Sequence, residues 1–201
     1  EKYARDEKTG LLYHGWDESR QQKWSNPATG QSPNFWGRAM GWYAMALVDV
    51  LDFLPDAHPK RTEIIGILNR LAIAIAKYQD KKTGLWYQVV DQGGRQGNYL
   101  ESSASCMIVY ALAKALRHSY IDEKFLTVAR QGYDGILKNF IEIDKDGFVQ
   151  IHKACSVAGL GGDPYRDGSY EYYIGEKIRS NDPKAVGPFI LASLEFEAIE
   201  K

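Results

Sequence analysis

Two cysteines, Cys106 and Cys155, are all that this chain of 201 residues contains. They stand far apart with no CxxC spacing, which excludes a disulfide framework and a thiolate metal site. Histidine is almost as sparse, at four. His14, His58, His118 and His152 form no HExxH or other close ligand pair, so a catalytic zinc is not expected. Neither sign of charge dominates: 25 Lys and Arg face 26 Asp and Glu, a formal net charge of -1. Such balance gives no electrostatic reason to bind a nucleic-acid backbone or an anionic bilayer. No apolar run approaches the roughly 20 residues of a membrane span, and Glu1 to Asp6 lack the regions of a signal peptide. There is no GxxxxGK[ST] phosphate loop and no GxSxG elbow. Gly159 to Gly162 follows no strand-to-helix phosphate pattern and reads as a mobile loop. Stability has to come from a packed core.

Aromatic residues, in contrast, are plentiful: 5 Trp, 13 Tyr and 7 Phe. Many lie in Gly-rich, polar stretches, as suits a site for a flat, half-polar ligand. A repeat organises them. Asp6 to Tyr13 (DEKTGLLY) returns as Asp80 to Tyr87 (DKKTGLWY), with a shorter echo at Asp144 to Phe148 (DKDGF). Each Asp-to-Gly segment predicts a tight turn with Gly at positive φ, leading into a short extended segment such as Leu11 to Trp16 or Leu85 to Val90. Polar loops follow: Gln21 to Asn34, Asp91 to Asn98 and Gly159 to Ser169.

Helical periodicity fills the intervals. Residues 35–54 are apolar over much of their girth, and Pro55 ends the run. Residues 61–79 confine their apolar side chains to one stripe, Ile64, Leu68, Leu71, Ile75 and Tyr78. The pair recurs as an apolar helix over 101–117 and an amphipathic one over 122–140, with Asp122 expected as N-cap. A final helix is expected over 187–199, with Pro188 in its first turn. Inner and outer helices thus alternate in hairpins at about 35–79 and 101–140, within one partial domain covering 1–201. The long spacing favours a closed α/α toroid over an open superhelix, with the loops gathered at one mouth. Two and a half hairpins cannot close a ring of six. The chain also begins at Glu1 rather than Met. The expectation is therefore about the C-terminal half of a barrel, completed by the missing N-terminal half or by a homo-oligomer.

The runs Tyr13-His14-Gly15-Trp16-Asp17, Trp24-Ser-Asn-Pro27 and Ser32-Pro-Asn-Phe-Trp36-Gly-Arg38-Ala-Met-Gly41-Trp42-Tyr43 resemble the unsaturated rhamnogalacturonyl hydrolases of glycoside hydrolase family 105. The resemblance continues through Tyr78 to Asp80, Gly84 to Tyr87, Leu100 to Ser103 and Asp167 to Tyr173. It implies an (α/α)6 barrel and removal of the terminal 4,5-unsaturated galacturonyl residue from rhamnogalacturonan oligosaccharides, with no metal or organic cofactor. In that chemistry an Asp protonates C4, water adds at C5, and the hemiketal opens, unlike the two-carboxylate scheme of most glycosidases. The resemblance places His14, Trp36, Arg38 and Trp42 in the substrate pocket, with Ser169 a weaker match. Arg38 would offer its donor fork to the uronate carboxylate. Trp36 and Trp42 would stack on sugar faces.

The family's general-acid Asp lies upstream of the Tyr13-His14 block, before Glu1. Asp17, Glu101 and Glu171 do not match it, so no catalytic residue is assigned and the isolated chain is expected to bind weakly or not at all and to be inactive. Glu101-Ser102-Ser103 reads as a helix start, a structural role. On residues alone, His14 reads as a packing histidine and Trp42 as core, whereas Arg38 on an apolar helix needs partners. Alternatives are an unsaturated glucuronyl hydrolase, which should show extra basic residues at the mouth, a sugar epimerase, which should show paired histidines, and a carbohydrate-binding half-barrel without catalysis. A bacterial, cytoplasmic location is expected, with the periplasm as the alternative.

Overall fold

The computed structural model describes all of residues 1–201. Five long helices carry the fold: α1 (Gly37–Phe53), α2 (Arg61–Lys77), α3 (Ser102–Arg117), α4 (Phe125–Phe140) and, after a short α5 (Tyr170–Gly175), α6 (Pro183–Ile199). Four short strands interrupt them: β1 (Ile141–Ile143) pairs antiparallel with β2 (Val149–Ile151), and β3 (Ala154–Cys155) with β4 (Ile178–Arg179).

The inner and outer assignment follows from burial. In α3, every residue from Ser102 to Ala115 is buried, because α1 and α6 flank it and α4 backs it. Small residues permit that crowding. A Cβ at Gly41 of α1 would press on the Met107 side chain of α3. By contrast, α2 and α4 bury only one stripe each, Leu68, Leu71 and Ile75 in α2 and Phe125, Ala129, Ile136 and Phe140 in α4. One apolar cluster of 35 buried residues joins all five long helices. Contacts at both ends make the inner helices parallel: Arg38 meets Ser103 near the N-termini of α1 and α3, while Lys114 meets Asp49 and Arg117 meets Glu195 near the C-termini of the three. This is half of an (α/α)6 barrel, three inner helices with two outer ones.

The repeated turns form as their sequence requires. Gly10, Gly84 and Gly147 all have positive φ, at 76°, 74° and 84°. In the first two, the Asp carboxylate accepts from the Thr backbone and hydroxyl at 2.8 and 2.7 Å (Asp6 and Thr9) and 2.9 and 2.6 Å (Asp80 and Thr83). The extended segments that follow make isolated bridges, such as Trp36 with Val89 and Tyr87 with Leu100, rather than named strands.

Two helix starts differ by several residues from the sequence reading. Asp122 does not cap α4: its carboxylate accepts from Lys124 N, closing a turn that precedes a helix starting at Phe125. The last helix begins at Pro183, four residues early, because Asp182 caps it by accepting from Lys184 N. Pro188 therefore lies inside α6, where it is buried. Helix α5 and the β1–β2 hairpin escape periodicity because they are shorter than the period needed to see them.

The two glycines separate backbone strain from contact. A Cβ at Gly84 would overlap the Gln131 carbonyl of α4, whereas one at Gly147 meets open space. Gly147→Ala should cost about 1–2 kcal/mol, the ordinary penalty for a left-handed residue. Gly84→Ala should cost at least twice as much in urea unfolding, because α4 must also move; equal costs would contradict this packing.

Candidate functional site

Three polar loops meet at the N-terminal ends of the inner helices. Asn34 ties them together. Its Nδ2 donates to Gly168 O at 2.8 Å, its Oδ1 accepts from Gln92 Nε2 at 2.8 Å, and its carbonyl accepts from His14 N at 3.3 Å. The Tyr170 hydroxyl donates to the carbonyls of Arg95 and Gln96. The predicted mouth therefore exists, built from the loops anticipated for it.

The sequence-derived residues divide into three groups around it. His14, Trp36 and Ser169 gather around Tyr173. The His14 ring lies 4.6 Å from Trp36, and its Nδ1 is 2.6 Å from the Tyr173 hydroxyl, while Nε2 makes no hydrogen bond within the chain. Trp36 is buried, with Nε1 donating to Gln88 Oε1 at 3.1 Å, so it forms the wall rather than an open platform. Ser169 caps α5 by accepting from Tyr172 N at 3.1 Å, and thereby holds the short helix that presents Tyr173.

Arg38 lies beneath the mouth, not in it. Its side chain is 2% exposed. Nε donates to Ser103 Oγ at 2.7 Å, Nη1 to Ser156 O and Nη2 to Cys155 O. Glu101 lies 3.6 Å from Nη2 and is fully buried. Its carboxylate accepts from Ser103 N, Ala104 N, Cys155 N and Ser103 Oγ, so it starts α3 as the sequence indicated and also fastens β3 to that helix. The guanidinium on an apolar helix indeed has partners, and they belong to the protein. Trp42, one turn further along α1, is 47% exposed.

Sequence reasoning missed Arg166. Its Nε donates to Gly161 O at 2.8 Å, while Nη1 and Nη2 have no hydrogen-bond partner and no carboxylate pairs with it. Gly159 and Gly162, read from sequence as part of a mobile loop, wrap this guanidinium. A Cβ at either would come within 2.6 or 2.8 Å of its terminal nitrogens. Glycines flanking an arginine across a tight turn were the available signal. Tyr173 was quoted in the motif but given no role.

Burial, and secondarily the Arg166 charge, lowers the His14 pKa to about 4. The imidazole is thus neutral at pH 7. Two acids near the mouth that the sequence singled out are occupied. Asp17 accepts from the backbone of Ser19, Gln21 and Gln22, hydrogen bonds that lower its pKa. Glu171 pairs with Arg95 on the surface. No group of three or more His, Cys, Asp or Glu side chains could hold a metal ion, and no helix is long and apolar enough to cross a membrane.

The family model for Glycosyl Hydrolase Family 88 matches residues 1–199. The chain belongs to this family. A solved family 105 glycoside hydrolase of C. acetobutylicum ATCC 824 is 54% identical, with a TM-score of 0.97 over 98% of this chain. The chain spans only 55% of that structure's length. A 24.9 kDa protein in the picA locus of Rhizobium radiobacter is 44% identical over 192 residues, which is 92% of this chain and 82% of that protein. An unsaturated rhamnogalacturonyl hydrolase of Bacillus subtilis (strain 168) is 35% identical over 112 residues, 56% of this chain and 29% of that protein. The resemblance read from the Tyr13 to Tyr43 block agrees with these findings in family and fold.

Protonating His14 is linked to folding with a definite sign. Its folded pKa of about 4 lies below the unfolded value near 6.5, so the unfolded chain binds the extra proton between those values. Stability is unaffected by this group above pH 6.5 and falls as pH drops from 6.5 to 4. The difference in melting temperature between wild type and His14→Gln, recorded from pH 7.5 to 4, should shift in favour of the variant as pH falls. A difference independent of pH would contradict the assignment.

Proposed function

We propose that this chain supplies the substrate-gripping half of a hydrolase that removes the terminal 4,5-unsaturated galacturonyl residue from rhamnogalacturonan oligosaccharides. The observation that carries this reading is a guanidinium with two free terminal nitrogens, cradled by glycines, next to an uncharged histidine with a free Nε2. A planar carboxylate matches two parallel N–H donors, and Arg166 has them unspent. The neutral His14 can hydrogen-bond to a hydroxyl or to water without adding a second charge. Trp42, exposed on the same inner helix that carries Trp36, offers a face for the sugar ring. The Bacillus subtilis relative, an unsaturated rhamnogalacturonyl hydrolase, supports the same chemistry.

In that chemistry a proton adds to C4 of the double bond and the water oxygen to C5. The hemiketal then opens and releases the remaining oligosaccharide, consuming one water. Arg166, His14 and Trp42 bind and orient. Arg38 holds the floor beneath them, which replaces the ligand role expected for it. Asp17, Glu101 and Glu171 are each held by donors of this chain, and this reading takes the acid from outside this half of the barrel.

The test is NMR or calorimetric titration of the isolated chain with oligosaccharides from lyase-digested rhamnogalacturonan, alongside an assay for loss of the double bond's absorbance. Weak binding without turnover is expected. Arg166→Gln should weaken binding by about 10-fold or more, as befits loss of a charged hydrogen bond, and a carboxyl-reduced oligosaccharide should bind equally poorly to both forms. Turnover by the chain alone, or binding indifferent to Arg166, would contradict the reading.

A further inference from the structure

Tyr173 commits its hydroxyl to a single partner. The side chain is fully buried, and its oxygen lies 2.6 Å from His14 Nδ1 with no other hydrogen bond. Burial holds the phenol well above its ordinary pKa, so at pH 7 it keeps its proton and needs an acceptor. Its surroundings fix where that acceptor can be. The Tyr173 carbonyl accepts from Gln88 Nε2 at 3.1 Å, Gln88 Oε1 accepts from Trp36 Nε1 at 3.1 Å, and Ser169 caps the turn of α5 that carries the ring. His14 is held as firmly, with its N–H on Asn34 O and its ring 4.6 Å from that of Trp36.

We propose that Tyr173 is a positioning residue that fixes His14 in the tautomer with hydrogen on Nε2, so that this histidine meets the ligand as a hydrogen-bond donor. A neutral imidazole carries one N–H and one lone pair. With hydrogen on Nε2, the Nδ1 lone pair accepts the Tyr173 O–H and the buried pair is satisfied. With hydrogen on Nδ1, that N–H would donate to the phenol oxygen and leave the O–H buried without an acceptor. Protonating both nitrogens would strand it in the same way. An unpaired buried donor is costly. Tyr173 is closed off by residues of this chain, so no group beyond residues 1–201 enters the choice. Nε2–H then has no partner within the chain, and neither have Arg166 Nη1 and Nη2. A row of donors suits a ligand group that only accepts, an ionised carboxylate or an ether oxygen. For the hydration reaction, and here the inference rests on the function proposed above, His14 donates to a substrate oxygen. It does not take the proton released by the attacking water, because neither ring nitrogen has a free lone pair; that proton goes to another base.

Long-range proton–nitrogen NMR of the isotope-labelled protein at pH 7.5 reads the tautomer, with His14→Gln identifying the His14 signals by their loss. Wild type should show hydrogen on Nε2 alone and an Nδ1 shift displaced by an accepted hydrogen bond. Hydrogen on Nδ1, or a mixture of the two forms, would overturn the proposal. Tyr173→Phe removes only the hydroxyl. It should abolish the Nδ1 displacement and let the other tautomer appear, whereas a merely structural Tyr173 would leave both unchanged. A Tyr173→Phe chain that does not fold leaves the wild-type spectrum to decide. Titration with oligosaccharides from lyase-digested rhamnogalacturonan adds a quantitative arm. The dissociation constant of Tyr173→Phe should rise by the reciprocal of the surviving Nε2–H fraction, about 2-fold if half remains. A loss of about 10-fold or more, as expected for Arg166→Gln, would mean that Tyr173 itself touches the ligand and would overturn its positioning role. The two failures separate: a wild type that binds no oligosaccharide contradicts the proposed function, while the tautomer in its spectrum still decides the role of Tyr173.

Discussion

The mouth depends on one buried charge pair. Arg38 projects from α1 and Glu101 caps α3, and neither side chain reaches water. Burying two charges is costly unless their remaining donors and acceptors are satisfied. Here Ser103, Cys155 and Ser156 take the Arg38 donors, while the backbone of Ser103, Ala104 and Cys155 donates to Glu101. The same network therefore sets the spacing of two inner helices, starts one of them at the favourable end of its dipole, and fixes β3. From β3 the chain runs on through the Gly159 to Arg166 loop to Ser169 and Tyr173. Every element that presents the candidate ligand groups is thus referred to one polar knot under the floor.

Above that knot the site divides its labour by solvent contact. His14 and Trp36 are held in the wall by Tyr173 and Gln88, so their positions are set before any sugar arrives. Arg166 and Trp42 keep an open face. Preorganised walls with a few unspent donors are what a small polar pocket needs. Trp42 looks outward beside the mouth, on a face of α1 that no other helix of this chain covers.

Much of this was legible in residue order, and the exceptions share a cause. Helix α1 announced itself through apolar residues around its girth, α2 through a single stripe, and the repeated Asp-to-Gly turns through turn chemistry that depends on neighbours alone. Glu101 was readable as a cap for the same reason. Arg38 was readable as needing partners but not as having found them, because Ser103, Cys155 and Ser156 lie 65 to 118 positions away. Arg166 was invisible for the converse reason. An arginine in a Gly-rich loop is ordinary until the fold shows that no acid pairs with it. Pro188 misled because proline usually sits in a first turn, and here Asp182 and Pro183 start the helix earlier.

A double-mutant cycle on Arg38 and Glu101, read as unfolding free energy in urea, probes this dependence most directly. Arg38→Met and Glu101→Gln should each cost about 3–5 kcal/mol, as expected when one charge is left buried without its partner. The double variant should cost less than the sum by at least about 2 kcal/mol, a coupling typical of residues in one network. Costs that add within about 0.5 kcal/mol would show that the two side chains act separately and that the mouth is held by something else.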